Sequence, residues 1–399
     1  MKYRWPLKMA GLFVALFGCC ATFLSAEDRP SSAIPNVVVE HSNIYAVPKR
    51  FGGWPANHGI WSWDNNEILV GFAAGDTKDL GPNRHAIDRE KPEEHLLARS
   101  LDGGKTWKVE NPSEQGALIP AGAMLHGIAP PWLKEKPWQD CPGGLDFTNP
   151  NFIMTLRMTD HHIGPSRFSY STDRGKKWHG PFRLTVNDPD GKPIGIAART
   201  TYIVNGPHDC FVFLTAGKPD HEEGRVFCAR TTDGAKTWQF VAWIGDDPKD
   251  GYAIMPSAIR LGTSELLVTI RCRDEKRAWI DSYRSTDNGQ SWKLDSTPAP
   301  DLGEGNPPSM LRLADGRVCL VYGLRAEPYE MRARLSNDGG RTWGPELTLR
   351  GNGGGRDIGY PASIQRPDGK IVSTYYFHDQ PTSDRYVAAT IWDPSRVPK

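Results

Sequence analysis

The sequence predicts an all-β protein folded as a six-bladed β-propeller. Glycine and proline are frequent, at 41 and 33 of 399 residues, and no long segment shows the apolar spacing of a helix. A pattern of Ser/Thr-x-Asp-x-Gly-x-x-Trp also recurs five times, with strand-like runs beside the copies. Repetition at this spacing is typical of a propeller, in which each repeat is one small sheet.

The repeated pattern has the chemistry of a hairpin tip. Its Asp carboxylate can accept backbone N–H bonds, its Gly supplies a positive φ, and its Trp can fold back over the hairpin. We therefore interpret these aspartates as structural rather than catalytic. The third copy has Ala235 where the others have glycine. The five copies are residues 100–107, 171–178, 231–238, 285–292 and 336–343.

The sequence contains six apolar, strand-like segments, one more than the copies of the repeated pattern, and these six segments predict six blades. The 373 residues after position 26 give about 62 per blade, enough for four strands and their loops. We expect the sixth blade, which lacks a copy, to close the ring by pairing residues 385–392 with a strand near residues 36–41. The predicted inner strands are residues 68–72, 152–158, 211–214, 266–272, 318–322 and 371–377.

Residues 1–26 have the features of a secretory signal peptide. Three basic residues precede an apolar run at 9–24, and small residues precede position 27. A membrane anchor is an alternative, although 16 residues are short for a bilayer, and lipidation at Cys19 is another. We expect residues 27–399 to form a single propeller domain that is secreted or periplasmic and has no membrane span.

Charge and cysteine usage exclude several classes of function. The net charge is +1, and −2 without the three basic leader residues, which argues against a nucleic-acid partner. Five cysteines remain after the leader, an odd number without CxxC spacing, so neither a metal framework nor a disulfide scaffold is predicted. A bridge between Cys210 and Cys228 stays open beside buried free thiols. No metal and no cofactor are predicted.

Basic residues recur at similar positions of successive repeats. Arg157 and Arg271 stand at the ends of apolar strands, Arg325 lies just past one, and Arg199 stands at the start of another. In a propeller such residues can meet at one mouth of the channel, where a guanidinium can bind a carboxylate through two N–H groups. The alternative is that each arginine pairs with a neighbouring acid.

The repeated pattern resembles the Asp box of the sialidase (neuraminidase) superfamily, over about Tyr45 to Trp392. The resemblance implies a sialidase-like propeller with glycoside hydrolase activity. In that family three arginines clamp the substrate carboxylate, a tyrosine beside a glutamate is the nucleophile, and an aspartate is the acid/base.

Two stretches carry most of this resemblance. Met255-Pro-Ser257, followed by Arg271, resembles a Glu-Pro-Ser stretch, so Arg271 would be a clamp arginine and Met255 replaces the glutamate. Gly359-Tyr360-Pro-Ala-Ser363 resembles the stretch with the nucleophile, so Tyr360 is the candidate.

The other family positions have more than one candidate. Arg325 resembles the third clamp arginine, and Arg332 is a rival. The Arg-Ile-Pro signature of the first is missing, and Arg50 is the nearest arginine. The acid/base would be Asp146 or Asp88.

A tyrosine nucleophile suits an anionic sugar, which would repel a carboxylate. Asp357, three residues before Tyr360, is the local acid that could activate the phenol. His58, like His85 and His95, is a candidate for acid–base work or substrate binding.

The sequence therefore favours an exported, retaining hydrolase of an acidic or decorated glycan. One alternative is a polysaccharide lyase on the same propeller, in which Tyr and His remove a proton beside a uronate carboxylate. The other is a non-catalytic glycan-binding propeller, which Met255 favours.

Overall fold

The computed structural model describes residues 36–81, 84–218, 220, 222–381 and 384–399. The leader predicted in residues 1–26, with Cys19, lies outside them. The described residues form six antiparallel sheets that follow one another as the blades of a propeller. The predicted all-β, six-bladed propeller is confirmed.

Blades 1 to 3 are built in chain order. Blade 1 contains Arg50–Gly53, Ile60–Ser62, Ile68–Asp76, Glu94–Ser100 and Lys108–Glu110. Blade 2 contains Ile153–Met158, Ser166–Ser171 and His179–Leu184. Blade 3 contains Ile196–Ala197, Tyr202–Gly206, Asp209–Gly217, Glu223–Thr231 and Gln239–Ile244.

Blades 4 to 6 complete the ring. Blade 4 contains Tyr252–Arg260, Leu266–Arg273, Ala278–Ser285 and Lys293–Ala299. Blade 5 contains Ser309–Arg312, Val318–Leu324, Glu330–Ser336 and Leu347–Arg350. Blade 6 contains Gly359–Gln365, Ile371–Phe377, Tyr386–Trp392 and Val38–Tyr45. The short helices of the described chain are Pro55–His58, Pro112–Gln115, Leu125–Gly127 and Pro394–Arg396.

The two ends of the described chain meet in blade 6. Val38–Tyr45 pairs antiparallel with Tyr386–Trp392, so the predicted closure is confirmed. This pairing satisfies backbone groups that an edge strand would otherwise leave open.

The six predicted strands exist, but most of them are not the innermost strands. Ile68–Asp76, for example, pairs with Glu94–Ser100 on one side and with Arg50–Gly53 and Ile60–Ser62 on the other. Blades 3, 4, 5 and 6 likewise have a strand that precedes the predicted one in the sheet. These first strands are short or bulged, which hides them from a search for apolar runs.

An apolar cluster joins each blade to the next around the ring. Each of these six interface clusters takes buried residues from two successive blades, which explains why apolar strands recur once per blade. One pair from each interface, starting with blades 1 and 2, is Leu69 with Ile153, Leu156 with Leu214, Phe213 with Val268, Leu267 with Leu320, Val321 with Tyr375, and Val372 with Val70.

The five repeated segments form turns with the same hydrogen bonds. In the first copy Ser100 Oγ accepts the Gly104 N–H at 2.8 Å, and Asp102 Oδ1 accepts the Thr106 N–H at 2.9 Å. The other four copies repeat both bonds. Ala235 adopts a φ of +68° where the other copies have glycine. Each aspartate is therefore engaged by its own turn.

The cysteines of the described chain are all free and buried. Cys210 is paired in register with Thr231 and Cys228 with Phe213, so the two thiols do not face each other. The bridge that the sequence left open is absent from the structure. None of the helices in the described ranges is long and apolar enough to cross a membrane.

Candidate functional site

A pit opens where loops and strand ends of blades 1, 2, 3 and 6 meet. It encloses about 610 Å³ of empty space that is open to solvent. Most of its walls are aromatic or basic, a composition suited to a sugar that bears negative charge. The lining residues are Trp54, Asn57, His85, Arg89, Leu125, His126, Met158, His161, Arg199 and Tyr360.

A second cavity lies among the first strands of the blades. Its lining includes Thr200, Ser257, Ser309 and Ser363, together with prolines and small apolar residues. No acidic, basic or histidine side chain is among its described lining residues. Of these two cavities, only the pit has basic and histidine side chains in its described lining.

A bulge at the start of blade 6 directs Tyr360 into the pit. Tyr360 has a φ of +51° and precedes Pro361, and the strand register shifts between Gly359 and Ala362. Asn306 holds this backbone, because its Oδ1 accepts the Tyr360 N–H at 2.9 Å and its Nδ2 donates to the Ile358 carbonyl at 2.9 Å. Left-handed, non-glycine residues of this kind concentrate at functional sites.

Two of the predicted arginines contact Tyr360. Arg271 Nη1 lies 3.4 Å from the Tyr360 hydroxyl oxygen, and the Arg325 guanidinium carbon lies 5.3 Å from the ring centre. Arg325 also donates to the Ile358 carbonyl at 2.9 Å and to the Tyr376 hydroxyl at 2.7 Å. Arg271 comes from blade 4 and Arg325 follows a blade 5 strand, so the ring brings together residues far apart in sequence.

Met255 stands beside this group. Its φ is +54°, it precedes Pro256, and its sulfur lies 3.9 Å from Arg271 Nη1. The strand register of blade 4 shifts between Ile254 and Ser257, so Met255 lies in a bulge like that of Tyr360. Its side chain, however, offers Arg271 no negative charge. Met255 cannot accept a proton from a phenol.

A buried carboxylate lies behind the Tyr360 backbone. Asp357 Oδ1 is 2.6 Å from His85 Nδ1 and accepts the Tyr376 hydroxyl at 2.8 Å. Asp357 Oδ2 accepts the Arg385 Nε–H at 3.0 Å. The His85 ring meets the Tyr360 ring edge-on, with 5.9 Å between centres. Asp357 therefore orients His85, whose ring faces Tyr360.

The charges of this network follow from its burial and contacts. Burial alone would raise the pKa of Asp357, but His85, Arg385 and Arg325 hold it well below its ordinary value. Burial lowers the pKa of His85 despite the neighbouring Asp357. Burial raises the pKa of Tyr376 well above its ordinary value. Near neutral pH the site thus combines a carboxylate, a neutral imidazole and a phenol.

Three other predicted residues lie in or near the pit. Arg199 is part of its wall and donates to the Ala197 carbonyl at 3.3 Å. Arg157 and His58 lie in a smaller cavity that adjoins the pit, where Arg157 Nη1 contacts His58 Nδ1.

Two predicted arginines are occupied elsewhere. Arg50 begins the first strand of blade 1 and pairs with Asp76 at 2.6 Å and with Glu94 at 2.5 Å. Arg332 lies in a blade 5 strand and pairs with Glu330 and Glu346. Neither is among the described pit residues. Each of these two arginines pairs with neighbouring acids, as the alternative interpretation of the sequence had it.

The two predicted acid/base aspartates also have local roles. Asp146 is exposed and accepts the N–H and hydroxyl of Thr148, which lower its pKa. Asp88 lies on the loop after His85, accepts the Glu90 N–H at 3.1 Å and pairs with Lys78, and these contacts lower its pKa. Both are carboxylates at neutral pH.

Sequence reasoning missed Asn306, Tyr376 and Arg385. A separate signal, which marks other residues of this region, is the recurrence of a residue before proline in or directly after three of the first strands. Trp54-Pro55, Met255-Pro256 and Tyr360-Pro361 all place the first residue at a positive φ. All three residues belong to one apolar cluster, which contributes Trp54 and Tyr360 to the pit.

A model of the BNR repeat-like domain matches residues 171–372. The chain belongs to the BNR repeat-like domain family. Together with the six blades, this match confirms the sialidase-like propeller that the sequence predicted. A search of curated proteins finds no match to this BNR propeller.

Several solved structures share the fold. A protein of unknown function from Dyadobacter fermentans is 20% identical, with a TM-score of 0.66 over 89% of this chain and 98% of its own. The NanB sialidase from Streptococcus pneumoniae is 11% identical, with a TM-score of 0.57 over 90% and 72%. An α-L-arabinofuranosidase from Fusarium graminearum is 12% identical, with a TM-score of 0.58 over 91% and 99%. At these identities the likeness establishes the fold alone.

Proposed function

We propose that this BNR propeller is an exported glycoside hydrolase that acts on an acidic sugar, with Tyr360 as its nucleophile. The observation that carries the proposal is the contact of Arg271 and Arg325 with Tyr360. Two cations beside one phenol favour its phenolate, and guanidinium groups bind carboxylates. Sialidases and an arabinofuranosidase share this fold, which agrees with a sugar substrate.

The proposed reaction has two steps. The Tyr360 oxygen forms a bond to the anomeric carbon while the glycosidic C–O bond breaks, and water then attacks the same carbon and releases Tyr360. His85 takes the hydroxyl proton in the first step, because its neutral ring faces Tyr360 and Asp357 fixes its other nitrogen. A water molecule protonates the leaving oxygen and becomes hydroxide. In the second step His85 returns its proton to the Tyr360 oxygen, and the attacking water gives up a proton that neutralises this hydroxide. Inversion at each step gives overall retention.

A lyase is the second candidate, favoured by the Tyr360–His85 pair beside two arginines. In that reaction the phenolate or imidazole removes the proton beside a uronate carboxylate, and the C–O bond to the leaving sugar breaks. The product would contain a carbon–carbon double bond and absorb in the near ultraviolet. Hydrolysis gives no such absorbance.

The decisive experiment is Tyr360→Phe, assayed on sialosides, uronides and sulfated glycans. We expect turnover to fall by at least about a thousandfold, since the covalent step is lost, while calorimetry finds substrate binding retained. Tyr170→Phe is the matched control, because Tyr170 packs against Phe182 in blade 2, away from the pit. A fully active Tyr360→Phe variant would exclude the mechanism, and binding without turnover by the unaltered chain would indicate a glycan-binding propeller.

A further inference from the structure

One wall of the pit is a row of aromatic rings that leads away from Tyr360. The centre of the His85 ring lies 5.9 Å from that of Tyr360 and 5.2 Å from that of Trp54. The Trp54 ring lies 6.3 Å from the His126 ring, and the His126 ring lies 5.7 Å from that of His161. All five residues line the pit. His126 and His161 therefore form the end of this row that is remote from the proposed nucleophile.

The proposed reaction gives this remote end a role. Each step inverts the anomeric carbon, so the leaving oxygen lies on the side of that carbon opposite Tyr360. The leaving part of the substrate is thus directed away from Tyr360, and the row of rings leads in that direction to His126. This step of the argument rests on the proposed function, because it takes Tyr360 as the nucleophile.

The backbone of His126 is held in a conformation that few residues other than glycine adopt. Its φ is +60° and its ψ is +18°, and Gly127 follows with a φ of +76°. The Met124 N–H donates to the Ile128 carbonyl at 2.7 Å, and the His126 N–H donates to Glu93 Oε2 at 3.3 Å. Strained residues of this kind concentrate at functional sites. The turn therefore fixes the His126 ring at the pit before any ligand binds.

The His126 ring is available to a ligand. It is half-buried, and none of the hydrogen bonds among the described residues involves either of its nitrogens. Histidine is mostly neutral above its ordinary pKa of about 6.5, and burial, together with His161 and Arg199, lowers the pKa of His126 to about 3. A neutral imidazole offers one N–H donor and one acceptor nitrogen. This combination matches a sugar hydroxyl, which also donates and accepts.

The same end of the pit offers apolar contacts. Its apolar lining residues are Leu125 and Met158. Ile128, directly beyond the His126 turn, is 45% exposed, and Ile163, on the loop that carries His161, is 43% exposed. A sugar has apolar C–H faces and hydroxyl edges, and a binding site for it combines apolar walls with a few placed polar groups.

We propose that the His126 end of the pit is the subsite for the leaving sugar, and that His126 is a substrate-binding residue that exchanges hydrogen bonds with a hydroxyl group of this sugar. The substrate is then an oligosaccharide in which a second sugar follows the acidic one. Glycosides of small alcohols or of lipids lack the hydroxyl group that His126 recognises. The role of His126 is binding, so its loss should act on KM rather than on kcat.

The test compares glycosides of one acidic sugar that carry a methyl, an octyl or a lactose leaving group, in a sialoside series and a glucuronide series. Affinity is measured by calorimetry in Tyr360→Phe, in which the glycosides stay intact, and KM and kcat are measured in the unaltered chain. We expect the lactosides of one series to bind at least about tenfold more tightly than the methyl glycosides, since several contacts are added.

Substitution of His126 identifies the residue responsible. His126→Phe keeps a ring but loses both nitrogens, so KM for the lactoside should rise about three- to tenfold while kcat and the methyl glycoside are little affected. His126→Asn tolerates the left-handed backbone and keeps a donor and an acceptor, so it should recover part of the affinity. His179→Phe is the matched control, because His179 is exposed and stacks on Tyr170 in blade 2.

The outcomes separate the subsite from the proposed reaction. Equal affinity for methyl glycosides and lactosides, which is measured without altering His126, would overturn the subsite even if Tyr360→Phe is inactive. Tighter binding of the octyl glycoside, or an unchanged lactoside KM in a folded His126→Phe variant, would overturn it as well. An active Tyr360→Phe variant would reject the reaction, whereas a lactoside KM that still depends on His126 would keep the subsite. Binding of no glycoside in either series would overturn both.

Discussion

The repeated turns and the pit use the same kinds of residue in opposite ways. In a turn such as residues 285–292, the Asp287 carboxylate is bound within its own segment by Ser285 and Ser291. Behind the pit, Asp357 is bound by Tyr376 and Arg385 from the next strands of the chain and by His85, which lies 272 residues away in sequence. Because each turn forms its hydrogen bonds within its own eight residues, the five turns share the same bonds. The group behind the pit needs partners from other segments and occurs once among the described residues. Repetition therefore indicates structure here, and departure from it indicates function.

Among substitutions that remove these long-range contacts, His85→Gln should have the largest effect on activity. If His85 is the base for Tyr360, kcat should fall by about 10² to 10⁴-fold, with a smaller change in KM. His179→Gln is the control, because His179 is exposed and stacks on Tyr170 in blade 2. Equal activity of both variants would remove His85 from the mechanism.

The same residue predicts the pH dependence. Activity needs neutral His85, so kcat/KM should rise with pH through the pKa of His85. Burial lowers that pKa, and the acidic limb should therefore lie below the ordinary value of about 6.5. The groups around the ring that set this value are Asp357, Tyr360, Tyr376, Arg325 and Arg356. A limb above pH 6.5 would contradict the assignment.

Asn306→Ala is expected to have an intermediate effect, because Asn306 positions Tyr360 through the backbone only. We expect kcat to fall about 10 to 100-fold as the left-handed bulge relaxes, while KM changes little. Loss of two buried hydrogen bonds should also destabilise the fold by about 2 kcal/mol. Asn306→Asp keeps the oxygen that accepts the Tyr360 N–H and should recover part of kcat. Stability loss with unchanged kcat would make Asn306 purely structural.

The propeller was predictable because its evidence is local and repeated. Each turn is encoded in eight consecutive residues, and each blade carries one apolar strand that packs against the next blade. The first strands were harder to predict. Ile196–Ala197 is two residues long, and Tyr252–Arg260 contains the Met255 bulge, so neither gives an alternating apolar pattern.

The sequence predicted only some of the pit residues, and the reason is physical. Tyr360, Arg271 and Arg325 were identified because short stretches around them resemble a known family. Arg50 and Arg332 look similar in sequence, but acids that face them across neighbouring strands neutralise them. Which arginine finds such an acid depends on strand register, and a single sequence does not specify register across blades.

The smallest effect should come from a repeated turn. Hydrogen bonds from Ser291 and Ser285 lower the pKa of Asp287 to about 2, so its stabilising contribution is complete above the ordinary pKa near 4 and is lost as pH falls toward 2. Asp287→Asn should cost about 1 kcal/mol at pH 7, since the carboxylate is exposed and water competes for its bonds. Thermal unfolding should therefore show the two proteins converging in stability between pH 4 and pH 2, with turnover unchanged at neutral pH. A loss of turnover comparable to that of His85→Gln would mean that the turns and the pit are coupled, and the division between structural repeats and a functional pit would fail.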